Sequence, residues 1–385
     1  MDGTAQEGQR SPALGALHDA YRVRRVFGSL DGLRGLSILA VIWHHALDAD
    51  SKWRLIPGAR LGFLGVDLFF VISGFLIVTL LLRERERSGS ISLKDFYIRR
   101  SLRIYPLYFA LVAGLWLLYL PREDLRAVEF RADTPYLLLF VTNWHHVSGF
   151  LGVTWSLSAE EQFYFLWPPV ERFARRWAYP ILALAIGVSQ LIHFGVVDAW
   201  LERWFGWGPT EPAMLRQTTF MPICLGVLLA HALHHRRAFD LLARVLGHPL
   251  AAPLSLLALV ALPQAFPEDL TGWPRLTLHL LMTLVLAAAV VREDHPLARF
   301  YAFGPLKRIG VVSYGLYLLH HFGLGLAERL EHGTGLQLPL GRFVLGTASA
   351  FVLAELSYRL YESRFLALKA RFSQTGDAVT HPATT

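Results

Sequence analysis

The chain has 385 residues, 54% of them hydrophobic and only 17% charged, where an ordinary soluble domain carries about a quarter charged. With a mean hydropathy of +0.38 and charges gathered in short segments between long uncharged stretches, this composition excludes a soluble enzyme, a disordered chain and a disulfide-stapled secreted domain. The net charge of +7 reads as membrane topology rather than nucleic-acid binding, and the single cysteine, Cys224, has no partner in the chain and says nothing about redox compartment.

A helix crosses a bilayer core with about 20 apolar residues. In chain order the candidate spans are 35–47, 62–82, 104–120, 151–170, 177–197, 217–235, 245–267, 276–291, 309–327 and 343–358. Residues 134–144 are apolar but cover about half the required length, so they are expected to be re-entrant or interfacial; counted as a span they would make eleven. With the N-terminus inside, the strongly basic segments (Arg22 to Arg25, Arg83 to Arg103, Arg172 to Arg176, Arg236 to Arg244, Arg292 to Arg308 and the end of the chain) all fall on the cytoplasmic side. The first apolar run begins near Gly35 without a small-residue cleavage site, so the first span is expected to act as the anchor. No internal repeat is visible, which disfavours transporters built from inverted repeats. The expectation is an all-α, polytopic transmembrane bundle of about ten spans with both termini cytoplasmic. Residues 1–27 and 367–385 would be tails, the first twenty-odd residues and 373–385 disordered, around a membrane domain at 28–366.

Ionisable residues inside spans cost at least a few kcal/mol unless paired or hydrated, so they mark candidate functional positions. In SLDGLRGLSILAVIWHH, Arg34 stands at the cytoplasmic mouth of the first span. His45 follows eleven residues later, about 16 Å deeper on the same helix face. Arg34 reads as a snorkelling anchor or a cation for an anionic ligand, and His45 as a structural histidine or a titratable base. His44 points about 100° away and is not expected to reach the same site. In GVDLFFVISGFLI, Asp67 is the only charge in 62–82; it reads as a helix cap or as the carboxylate orienting His45, while Ser73 and Gly74 permit close helix packing.

Farther along, FYIRRSLRIYP puts Arg100 and Arg103 at i, i+3 on one face. That spacing suits the phosphates of a nucleotide-bearing donor, although the positive-inside rule also accounts for it. In TWSLSAEEQFYFLWP, Glu160 lies close in depth to His45 and Asp67 as an acid–base candidate, whereas Glu161 faces elsewhere. Trp155, Phe163 and Tyr164 read as belt aromatics or cavity walls, and Ser156 joins Trp155 as a pocket candidate. In GVVSYGLYLLHH, Tyr314, Tyr317 and His320 repeat at i, i+3, i+6 and read as a polar pocket or as packing groups.

These five motifs, in this order, resemble the membrane-bound acyltransferase family 3, bacterial integral-membrane O-acyltransferases of surface glycans and some antibiotics. The resemblance runs from about Phe27 to Phe365, ending in YRLYESRFL. It implies Arg34 and His45 as the essential first-helix pair, Arg100 and Arg103 as holders of the phosphates of acyl-coenzyme A, and Asp67 and Glu160 as the acidic residues. The chain departs from the family pattern in its doubled His44–His45 and in Phe322, which stands where a Pro often follows the last-motif histidine. The resemblance further implies a stand-alone form without an esterase-like domain, in the bacterial inner membrane, with acetyl-coenzyme A as the default donor, a glycan or glycosylated acceptor, no metal and no nucleic acid. His45 would take the acceptor proton directly or through an acyl-histidine relay. The competing reading is a proton-coupled transporter or flippase of lipid-linked glycans, using the same buried groups as a proton relay.

Overall fold

The computed structural model describes residues 12–24, 26–47, 59–147, 149–206, 220–267, 270–335 and 340–372. Among them there are helices and no β-strand. The helices that matter below are α1 (Pro12–Val23), α2 (Gly28–Ala46), α3 (Gly65–Ser88), α4 (Leu93–Tyr119), α5 (Leu125–Leu138) and α6 (Thr154–Phe173). They continue with α7 (Ala178–His193), α8 (Asp198–Phe205), α9 (Met221–His234), α10 (Arg236–Leu246), α11 (Ala251–Ala261) and α12 (Trp273–Val291). The chain closes with α13 (Gly304–Val311), α14 (Ser313–Thr334), α15 (Gly341–Ser357) and α16 (Ser363–Lys369).

Local chemistry explains several boundaries. Ser92 caps α4 by accepting the Asp95 N–H, and Asp124 caps α5 by accepting that of Ala127. Helix α3 ends at Gly89, whose φ of 75° lets its N–H turn back to the Arg85 carbonyl at 2.8 Å. Helix α9, the second half of α12 from Val285 to Val291, and α3 are the most enclosed elements. Large apolar side chains such as Leu117, Phe165, Leu184, Leu257 and Val352 point outward. An exterior this apolar, over backbones bonded within their own helices, is what a lipid solvent requires.

Four described helices are long and apolar enough to cross a bilayer, and up to eight if each bent pair is one span. This is fewer than the ten expected. Segments 177–197 and 245–267 fall on helix pairs bent by 84° and 74°, 309–327 falls on α13 and α14, which meet at 88°, and α9 is shorter than a full crossing. Residues 134–144 do not form a span: α5 contains Pro135 and gives way to a 3-10 turn at Thr142–Trp144.

The described parts of both expected tails are helical, 367–372 continuing α16 through a 3-10 turn. Residues 12–23 form α1, which buries Tyr21 and sets His18 edge-on to Phe239 of α10. Arg83 of α3 ties α1 down through the carbonyls of Arg24 and Tyr21. Residues 1–11 and 373–385 of the expected tails, and the start of the expected span at 217, lie outside the described residues.

Candidate active site

Two polar clusters sit toward opposite ends of α2. The first gathers Arg34 of α2, Arg100 and Arg103 of α4 and Lys369 of α16, whose charges all act on one another, with Asp31, Glu160 and Glu362 as counter-charges. The three arginines expected to act together are therefore brought together. Lys369 and Arg99 join them: Arg99 bonds Glu84 at 3.2 Å and the Phe372 carbonyl at 2.7 Å, pulling the segment after α16 over the cluster. Arg100 lies 3.6 Å above the Tyr164 ring and 3.7 Å from Glu160. Its Nε is buried and makes no hydrogen bond among the described residues. Glu160 is fixed by two hydroxyls, Ser73 of α3 and Tyr164, both of which donate to Oε1.

The second cluster is built from α2 and α14. His45 Nδ1 lies 3.0 Å from the Val41 carbonyl, and His320 Nδ1 lies 2.7 Å from that of Tyr317. A carbonyl can only accept, so each Nδ1 carries the proton and each Nε2 is left with its lone pair. His320 Nε2 sits 3.3 Å from His45 Nδ1, close enough for the His45 N–H to fork toward it. His321 packs against both rings, at 4.7 and 4.3 Å between centroids. His44 turns away against Phe63, as the helical offset requires.

Helix α6 connects the two. Ser156, Glu160 and Tyr164 recur every four residues along one face, about 6 Å apart. Ser156 meets the Tyr317 hydroxyl at 2.6 Å, one turn from His320. The Tyr317 hydroxyl also donates to the Val153 carbonyl at 2.7 Å. Tyr314 donates instead to the Ile104 carbonyl of α4 at 2.6 Å, and Trp155 stands edge-on to Phe70. A shallow groove of about 380 Å³ on the outer side of α4, lined by Tyr105, Pro106, Phe109, Tyr361 and Phe365 among others, contains none of the arginines or histidines.

Asp67 does not orient His45. It faces α12, where Arg275 reaches it at 2.7 Å and His279 at 3.4 Å. A buried carboxylate takes the nearest cation, and α12 delivers one inside the bundle. Among the described residues Glu160 makes no hydrogen bond to His45 either; what lies at His45 Nδ1 is the Val41 carbonyl and, beside it, the His320 imidazole. Arg275, His279 and Ser73 were not singled out as partners by sequence. Arg275 was readable, being a lone cation one turn before a titratable His279 in an apolar stretch, had the expected span begun at Trp273 rather than residue 276. Lys369 and His321 carried no signal of their own.

A family profile described as an acyltransferase domain matches residues 27–359. The chain is 31% identical over 365 residues to the peptidoglycan O-acetyltransferase OatA of Listeria monocytogenes, covering 88% of this chain and 56% of that protein. It is 28% identical over 358 residues to the putative peptidoglycan O-acetyltransferase YrhL of Bacillus subtilis, covering 88% and 54%. Against a putative O-acetyltransferase of Staphylococcus aureus the identity is 28% over 372 residues, covering 90% and 58%. The chain thus spans a little over half the length of these relatives. No solved structure matches it.

Proposed function

The chain belongs to acyltransferase family 3, and on that premise we propose that it moves an acyl group, acetyl by default, from acyl-coenzyme A to a hydroxyl of a cell-wall glycan of the peptidoglycan type. The observation that carries the reading is the polar path itself. Arg34 and His45 stand about 16 Å apart on one helix, and the Ser156–Glu160–Tyr164 face of α6 joins the two ends. In this reading the phosphates of the donor lie on Arg34, Arg100, Arg103 and Lys369 at the cytoplasmic face. The pantetheine arm runs along α6, and the thioester stops beside His45. The acceptor enters from the other face of the inner membrane.

The chemistry follows from the tautomers. With its Nδ1–H engaged by Val41 and His320, His45 holds a free lone pair on Nε2. That nitrogen takes the acceptor proton as the hydroxyl oxygen bonds to the thioester carbon; the tetrahedral adduct then collapses, the C–S bond breaks, and the coenzyme A thiolate recovers the proton. His320 is a positioning residue, doing for His45 what a carboxylate does in an Asp–His pair.

The test is thiol release from acetyl-coenzyme A by the full chain in nanodiscs, with peptidoglycan fragments as acceptor. His45→Ala is expected to lose about 10²–10⁴-fold in kcat with donor affinity kept. Arg103→Ala is expected to raise the donor KM about tenfold or more, with a smaller change in kcat. His320→Ala should lower kcat and leave both KM values unchanged, His320→Gln recovering part of the loss. Equal thiol release by wild type and His45→Ala would sink the reading.

A further inference from the structure

We propose that His45, His320 and His321 form a binding site for one divalent transition-metal ion of the zinc class. One ligand nitrogen from each of the three rings lies within 4.8 Å of the others. His45 Nδ1 and His320 Nε2 are 3.3 Å apart, which is about the edge of a tetrahedron built from metal–nitrogen bonds of 2.0–2.1 Å; on binding, the proton that His45 Nδ1 gives to the Val41 carbonyl in the metal-free chain moves to Nε2, so that Nδ1 offers its lone pair to the ion. His321 completes the set by a ring movement toward the other two nitrogens, the 4.8 Å that bounds the three spacings being wider than that edge. Three imidazoles with a fourth position left to water or an acceptor oxygen are a recurrent ligand set for zinc.

Two further observations favour a metal over a proton. His320 gives its Nδ1–H to the Tyr317 carbonyl at 2.7 Å, the outer contact that fixes the tautomer of a ligating histidine and aims Nε2 at the ion. None of the three rings has a carboxylate in ion-pair contact among the described residues, so nothing there stabilises an imidazolium, while three neutral nitrogens suit zinc, cobalt, nickel or copper and suit magnesium and calcium poorly. His321 has no part in the transfer chemistry above and stands between the two rings and Phe150, 6.3 Å away.

Occupancy would tie up the histidine that takes the acceptor proton, so the bound ion switches transfer off. This inhibitory half rests on the base assignment in the proposed function; the binding half does not. The experiment titrates the EDTA-treated full chain in nanodiscs with cobalt(II), read by its visible absorption, and then with zinc in competition, with no donor or acceptor present. Wild type should bind one ion per chain in a tetrahedral spectrum. His321→Phe and His321→Asn should weaken binding by on the order of 100-fold, and His332→Ala, an exposed histidine outside the cluster, should bind as wild type does. Thermal midpoints equal to that of wild type show that the variants are folded; should one not fold, the other carries the test. A wild type that binds no more cobalt than the triple variant without the cluster, or folded His321 variants that bind like wild type, overturns the site. In the transfer assay zinc should stop wild type but not His321→Phe. One-ion binding without loss of transfer would support the site and overturn His45 as the base.

Discussion

At the scale of single residues, two acids that looked alike in sequence have different neighbours. Glu160 is held by the Ser73 and Tyr164 hydroxyls beside Arg100, on the path that joins arginines to histidines. Asp67 is buried against Arg275. Removing one partner of a buried ion pair leaves an uncompensated charge and costs about 3–5 kcal/mol, whereas replacing both with apolar groups is often neutral. Asp67→Leu alone should therefore lower the thermal midpoint sharply, and Asp67→Leu with Arg275→Met should restore it and retain acyl transfer. A stable but inactive double variant would return Asp67 to the chemistry. His45 was readable because its neighbour of interest, Arg34, shares its helix; the identity of the group at its Nδ1, His320, 275 residues away, was not.

At the scale of elements, the clusters exist because certain helices pack closer than side chains normally allow. Helices α3 and α9 meet through Gly74, which faces the Ile223 and Val227 backbone, and Gly226, which faces that of Val71 and Phe75. Small residues at such crossings let dispersion act between backbones in lipid, where no hydrophobic force joins helices. A Cβ at Gly226 would run into the Val71 carbonyl, which cannot move aside as a flexible side chain would. Gly226→Val should thus destabilise the protein by about 1–3 kcal/mol or more, read as a fall in thermal midpoint in detergent. Gly114→Ala on α4, where an added methyl meets nothing within 4 Å, should be neutral or stabilising by about 0.4–1 kcal/mol. Equal effects at the two positions would refute the close-packing account. The small residues at Ser73 and Gly74 were legible as a packing surface; that Ser73 donates to Glu160 was not, because its partner arrives on α6, 87 residues later.

For the whole molecule, the proposed function fixes which end of the path faces the cytoplasm. In the function proposed above the arginine cluster faces the cytoplasm, and the same orientation puts His332 outside. In a Cys224→Ala background, which removes the chain's one cysteine, Ser88→Cys should resist an impermeant maleimide applied to intact cells and His332→Cys should react. The reverse pattern would put the donor site on the wrong side for a cytosolic thioester. Sequence alone determined the all-helical class, the five motifs and the separation of Arg34 from His45, because helical rise and hydropathy depend on residues close together in the chain. Only the tertiary structure decided that Asp67 belongs to Arg275, that α1 docks instead of trailing, that Lys369 joins the arginines and that three histidines converge. Those outcomes depend on which helix faces meet across hundreds of residues. That is set by backbone approach and buried-charge pairing, which no local spacing records.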